Sequence, residues 1–359
     1  MSKKHKINVI PGDGIGKEVV PVAIELLVEL SKKFDFHIEF NYFNYSCDFY
    51  TKTGSMMDAD GLTKLADCDA ILLGAVGMPD VADHISLWGL LIPIRRTFDQ
   101  YVNLRPVKSL KGAEGVLLEK KRIDYLIVRE NSEGEYSDIG GIINPGTPQE
   151  RVEQQSIFTK KGTERIVKYA FELAEKRKKT LTSATKSNGI IHSMTYWDSI
   201  VEDSSKEYPN IKTSKFHIDI LCAQLVKNPD WFDVIVASNL FGDILSDLGP
   251  ICTGGMGIAP SANLNPTGRF PSMFEPVHGS APDIFGKNIA NPLATIWSCV
   301  MMLEHLGEQQ AANYLFMCIE KATATNNVTP DLGGKLSTTM VGAYIRSLIL
   351  GELSLFKTA

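Results

Sequence analysis

Two aspartates four residues apart, Asp243 and Asp247, stand in the stretch SNLFGDILSDLGP, residues 238–250. The apolar DVIVAS before it reads as a buried strand, and the spacing predicts a helix from Gly242 to the residue before Pro250. At i, i+4 both carboxylates share one helix face, while Ile244, Leu245 and Leu248 pack elsewhere. Like charges so placed repel by about 0.2–0.5 kcal/mol unless a cation lies between them. Hard divalent ions such as Mg²⁺ take oxygen ligands, often one or two carboxylates together with substrate oxygens. The blander possibility is that Asp243 caps the helix and Asp247 is a solvated charge.

Other residues could join such chemistry. Arg95 and Arg105 lie within DHISLWGLLIPIRRTFDQYVNLRPV, and Arg129 ends the strand at residues 125–128. Any one of them could be a surface ion pair, but three beside strand ends could form a carboxylate clamp, because guanidinium forks match carboxylates bidentately. Tyr136, in RENSEGEYS, is a proton donor or a packed ring. Lys186 follows the strand at 180–185, at the end where open α/β sheets collect ligands. Asp219 begins the helix DILCAQLV, as a cap or a ligand. HGSAPDIFGKNIANP mixes small residues with His278, Asp283, Asn288 and Asn291, which suits a cofactor bearing sugar hydroxyls and a base.

The elements that carry these residues alternate. A strand at 7–10, the turn PGDGIG, a helix at 18–33 and strands at 37–43 and 70–73 argue for an α/β sheet. PGDGIG spells G-x-G-x-G, one residue short of the dinucleotide fingerprint, and reads as a turn that the backbone needs near a ligand. Ser86 caps a helix through Arg95 and Arg96; residues 102–106 are extended. Residues 137–158 lack both periodicities and form a long loop or an interaction arm. Helices follow at 159–178 and 196–208; residues 253–263 form a glycine-rich hinge and 272–277 a short strand, and three helices close the chain.

With 359 residues the chain exceeds the usual size of one core, so two domains are expected. A net charge of −5 gives no electrostatic case for nucleic acid or an acidic membrane, and no apolar stretch is long enough to span a bilayer. Six scattered cysteines without a C-x-x-C pair suit a reducing compartment, and the basic opening is not followed by an unbroken apolar run, so a cytoplasmic protein is the expectation.

Taken together, PGDGIGKEV, NLRPV, RENSEGEYS, ATKSN, SNLFGDILSDLGP and EPVHGSAPDIFGKNIANP resemble the β-decarboxylating dehydrogenases, the family of isocitrate and 3-isopropylmalate dehydrogenases, from end to end. PDVADHISLWGLLIPIRRTFDQYVNLRPV looks most like the tartrate/D-malate branch. The resemblance implies a two-domain α/β fold that is not a conventional Rossmann fold. One discontinuous cofactor domain would span 1–100 plus 253–359. Residues 101–252 would form a dimerisation and substrate domain with its arm near 137–158.

It also implies roles. Asp243 and Asp247, with Asp219 from a partner subunit, match the ligands of Mg²⁺ or Mn²⁺. Arg95, Arg105 and Arg129 match a substrate clamp, and Tyr136 with the partner-subunit Lys186 the catalytic pair of a shared-site homodimer. Glu275, His278, Gly279, Ser280, Ala281 and Asn291 match the cofactor loop. Asp283 sits where NAD-using members bind ribose hydroxyls, an acid that a 2′-phosphate would repel. A monovalent cation such as K⁺ comes with the family, without a residue to name. The activity implied is NAD-dependent oxidative decarboxylation of a (2R)-2-hydroxy acid, D-malate or tartrate. Lys186 would take the hydroxyl proton and Tyr136 would protonate C3. Substrate choice would be made along residues 86–91, where Trp88 and Leu91 narrow the pocket. The alternatives are a 3-isopropylmalate dehydrogenase, a non-catalytic regulatory subunit on the same fold, and a metal-dependent hydrolase, which would have no need of HGSAPD.

Overall fold

A computed structural model describes residues 3–119 and 121–352. In chain order its strands are β1 (Lys3–Gly12), β2 (Phe36–Tyr42), β3 (Ala70–Ala75), β4 (Val102–Lys108), β5 (Asp124–Glu130), β6 (Gly140–Ile143), β7 (Arg151–Gln154), β8 (Thr180–Thr185), β9 (Lys212–His217), β10 (Val234–Ala237), β11 (Pro260–Leu264) and β12 (Ser272–Pro276). They fall into two compact units. The first gathers the chain through Gln100, the segment that begins at Lys108, and the chain from Pro250 onward. The second holds Tyr101–Val107 and Lys121–Gly249.

In the first unit the strands run β2-β1-β3-β12-β11. β1 is parallel to β2 and β3, β12 is parallel to β3, and β11 turns back antiparallel on β12. The strand AILLGA of β3 is buried at every position, as a parallel strand covered on both faces must be. Helix Leu293–His305 is buried at all but its last two residues. Helix Thr338–Leu350 is capped by Ser337, whose hydroxyl accepts from the Met340 N–H, and ends at Gly351 in the left-handed region.

In the second unit the order is β4-β5-β10-β8-β9, with β5, β10, β8 and β9 all parallel. Helices Lys160–Glu175, Ser193–Ser205, Ile218–Lys227 and Asn239–Ile251 connect and cover these strands. Parallel pairing brings the carboxyl ends of four strands to one edge, and the chemistry-bearing residues follow those ends.

Several expectations need correction. Helix Asn239–Ile251 starts three residues before Gly242 and runs through Pro250, so Asp243 is an interior residue and not a cap. Ser86 lies within the helical segment that begins at Asp83, and its hydroxyl donates back to the Asp83 carbonyl. The proposed arm is not plain loop: β6 and β7 pair as an antiparallel ribbon, with Ile142 opposite Val152 and both exposed. The glycine-rich 253–263 segment ends in the buried strand β11. All six cysteines are free, and no helix among the described residues is long and apolar enough to cross a membrane.

Candidate functional site

In the second unit the polar residues converge on one aspartate. Arg129, in β5, lies opposite Ala237, the last residue of β10, and so beside the start of helix Asn239–Ile251. Arg129 is 2 % exposed. Its Nε and Nη2 donate to Asn239 Oδ1 at 3.1 and 2.8 Å, which leaves Nη1 to pair with Asp243. Gly242 makes this approach possible, since a Cβ there would sit 2.5 Å from Arg129 Cβ. Arg105, in β4, comes from the other side. Its Nη1 donates to Ser246 Oγ at 2.6 Å and lies 3.3 Å from Asp243 Oδ1 and 3.6 Å from Asp247 Oδ1. Tyr136 donates its hydroxyl to Asp243 Oδ2 at 2.7 Å, with the Arg129 guanidinium 5.6 Å from its ring.

Lys186, just past β8, bonds Asp219 Oδ1 at 2.6 Å at the start of the helix after β9. That bond holds the Asp219 carboxyl below its usual range. Each expected proton-transfer residue thus rests on an expected metal carboxylate, Tyr136 on Asp243 and Lys186 on Asp219. Partial burial, and secondarily the neighbouring Asp243, push the Asp247 carboxyl up against the opposing pull of Arg105. Two carboxylates on one helix face supply the oxygen ligands that a hard divalent cation takes. Among the described residues no three His, Cys, Asp or Glu converge to hold a metal, so Asp219 does not join Asp243 and Asp247 within one chain.

The first unit holds the cofactor candidates and Arg95. Arg95 pairs through Nη2 with Glu275 Oε1 at 2.8 Å, both buried, and Asn263 donates to the same oxygen at 2.7 Å. Arg95 Nε is buried without a partner. His278 Nδ1 contacts the Gly279 carbonyl at 3.0 Å, while its Nε2 is buried and unpartnered. Burial lowers the His278 pKa, and the neutral ring that donates through Nδ1 presents a lone pair at Nε2. Asn291 donates to Asp331 Oδ2 at 2.9 Å and accepts from the Leu293 N–H at 3.0 Å. Asp283 is exposed.

The PGDGIG turn packs directly on this loop. The Ile15 N–H donates to the Ser280 carbonyl at 2.8 Å, and at Gly14, with φ +48°, any Cβ would collide with that carbonyl. Ala281 holds φ +41°, which costs a non-glycine residue about 1–2 kcal/mol. Sequence reasoning passed over Asp13. It is fully buried, and its carboxylate accepts from the N–H groups of Cys47 and Asp48, at the start of helix Cys47–Thr53, and of Gly77, tying its own turn to two other segments. Its place between two glycines was the available signal.

Trp88 lies in an irregular part of its helix. Residues 87–91 form a π-helical turn, in which Ile92 N–H bonds Leu87 O. A regular α-helix would align 88 with 95; one extra residue in the turn shifts the phase by one, so Leu87, Leu91 and Arg95 share a line instead. Trp88 pairs with the next line: the Arg96 guanidinium lies 5.0 Å over its ring. The indole thus stacks under Arg96, and Leu87 joins Leu91 and Arg95 on their line, an alignment that regular helical periodicity does not signal.

These sites can be set against known proteins. The family description isocitrate/isopropylmalate dehydrogenase matches residues 6–345. D-malate dehydrogenase [decarboxylating] of Escherichia coli (strain K12) is 55% identical over 360 residues, covering 98% of this chain and 100% of that one. Tartrate dehydrogenase/decarboxylase of Pseudomonas putida is 56% identical over 351 residues, covering 95% and 96%. The crystal structure of isocitrate dehydrogenase from Methylococcus capsulatus superposes with a TM-score of 0.88 at 32% identity, covering 96% of this chain and 99% of that chain. Enzymes of this family are dimeric, act on small molecules and typically use NAD(P) and a divalent metal. By a family match across nearly its whole length, the chain belongs to the isocitrate/isopropylmalate dehydrogenases.

Proposed function

We propose that this protein is a decarboxylating dehydrogenase that oxidises D-malate to pyruvate and CO₂ with NAD⁺, and accepts tartrate as well. The observation that carries the reading is the convergence of Arg105, Arg129 and Tyr136 on Asp243. Recognition of a carboxylate, a proton donor and a metal ligand then meet at one point. Two relatives at 55% and 56% identity, named for D-malate and tartrate, support it.

Asp243 and Asp247 would hold Mg²⁺ or Mn²⁺ together with Asp219 of a second copy. A bound divalent ion supplies Lewis-acid polarisation of the substrate's C2 oxygen. The chain's own residues do the rest. Arg105 and Arg129 orient the carboxylate that is to be lost. Lys186 of the second copy takes the C2 hydroxyl proton while the C2 hydride passes to NAD⁺. The bond from C3 to the departing carboxylate breaks, CO₂ leaves, and Tyr136 donates its proton to C3. Glu275 and the loop from His278 to Asn291 would receive NAD⁺. His278 Nε2 offers an acceptor, and the exposed Asp283 disfavours a 2′-phosphate. The exposed apolar Ile220, Val226 and Ile244, on the two helices that carry the aspartates, favour a homodimer. Free cysteines throughout suit the cytoplasm, and a K⁺ requirement follows the family.

The line Leu87–Leu91–Arg95 favours a second reading, 3-isopropylmalate as substrate, since two leucines beside a carboxylate-binding arginine would accept an alkyl group at C3. NADH formation with NAD⁺ and Mn²⁺ on D-malate, tartrate and 3-isopropylmalate decides between them. Fast D-malate turnover with CO₂ release supports the proposal. A preference for 3-isopropylmalate keeps the family and removes the substrate assignment. No turnover on any of them would leave a binding protein on the same fold.

A further inference from the structure

We infer that Glu135 is a positioning residue for the helix that carries Asp243 and Asp247, an inference that rests on reading those two as metal ligands. The first bond within that helix runs from the Gly242 N–H to the Ser238 carbonyl at 2.8 Å, so Ser238 is its N-cap. An N-cap serine ordinarily accepts, with its own oxygen, from an N–H in the first turn. Here the Ser238 hydroxyl instead donates to Glu135 Oε1 at 2.7 Å, and Glu135 Oε2 accepts from the Leu240 N–H at 3.1 Å. The cap is supplied from a separate loop, and its negative charge sits at the positive end of the helix.

The next residue along that loop, Tyr136, bonds Asp243 Oδ2 at 2.7 Å. Two consecutive loop residues therefore grip one helix at points three residues apart, Leu240 and Asp243. Just before them Gly134, at φ +92°, exchanges N–H···O bonds of 2.8 and 2.9 Å with Ile157, which anchors the loop from behind. Asn239 adds a 3.0 Å bond to the Glu133 carbonyl while it orients Arg129. Without Glu135, the loop between Gly134 and Tyr136 loses its hold on the helix end, and the spacing of the Tyr136 hydroxyl from both aspartates loosens.

The test is Mn²⁺ affinity of the full dimer, read from the electron paramagnetic resonance signal of free Mn²⁺, together with melting temperature. Glu135→Ala is expected to weaken Mn²⁺ binding about tenfold, the scale of a lost helix cap. Glu135→Gln keeps one acceptor oxygen and should fall between Ala and wild type. Ser337→Ala is the control. It removes the cap of helix Thr338–Leu350, where Ser337 Oγ accepts from the Met340 N–H at 3.3 Å, and should lower the melting temperature similarly with Mn²⁺ affinity unchanged. Glu135→Gln within twofold of wild type would overturn the inference, even if Glu135→Ala does not fold. So would an equal loss of affinity in Ser337→Ala. Wild-type Mn²⁺ binding that survives Asp247→Asn unchanged would remove the metal reading and this inference together.

Discussion

Replacing Tyr136 by Phe deletes one hydroxyl and leaves the ring beside Arg129. The bond lost is the 2.7 Å contact to Asp243 Oδ2. Hydrogen bonds to charged groups contribute about 1.5–3 kcal/mol, but the Asp243 side chain is 33% exposed, so water can replace the donor. The stability cost should therefore be near 1 kcal/mol, a fall of about 2–4 °C in melting temperature. The chemical cost is larger. Removing a general acid slows its step by about 10²–10⁴-fold, equivalent to about 3–5 kcal/mol of barrier. Hydride transfer precedes C3 protonation and does not use the hydroxyl. In stopped flow, Tyr136→Phe should show a rapid NADH burst near one per site, followed by a steady state slowed at least ~100-fold. A burst that slows in proportion to the steady state would refute the assignment, as would a steady state that does not slow.

Lys186→Met should abolish both the burst and the steady state, while the melting temperature moves by less than about 2 °C, because the exposed Asp219 lets water screen the Lys186–Asp219 pair, which is then of little stabilising value. Trp88→Ala should alter the ratio of kcat/KM for D-malate over 3-isopropylmalate by less than about threefold, since the indole lies under Arg96; Leu87→Ala should alter it by about tenfold or more, the methylene scale of discrimination. Burial raises the Glu130 pKa from an ordinary 4.5 to about 7, against the hydrogen bonds from Ser132 and Glu133. A raised carboxyl binds its proton more tightly in the fold, so its stabilisation is full below the unfolded pKa and fades as pH climbs through about 7. Wild type should lose about 3 kcal/mol between roughly pH 5 and 8 from this group, and Glu130→Gln should flatten that slope in urea melts at several pH values.

What could be read from residue types alone were features with a short-range signature. The strand–helix alternation announced the sheet, and Lys186 and Arg129 stood where strands run out. The i, i+4 aspartates needed only helical period. The misplaced features depend on partners far along the chain. The helix bearing Asp243 starts early because Glu135, more than a hundred residues upstream, caps it. Arg95 meets Glu275 across 180 residues. Ile142 and Val152 sit on short strands exposed on a two-stranded ribbon, so no inside–outside alternation was available. Around Trp88 the π turn displaced the helical phase by one residue, which no sequence periodicity announces.

The order of strands in the first unit has a consequence for synthesis. β1, β2 and β3 leave the ribosome first, yet β12, which pairs with β3, follows about two hundred residues later. Every strand that the second unit contributes to its own order, from β4 through β10, is translated in between. The middle of the chain can thus complete its sheet while β3, apolar along its whole length, still has an open edge. Closing that edge demands a long-range contact, paid for in loop-closure entropy, before the unit gains its buried helix Leu293–His305. The nascent protein is accordingly most exposed to aggregation late in translation, when most of its length is already made.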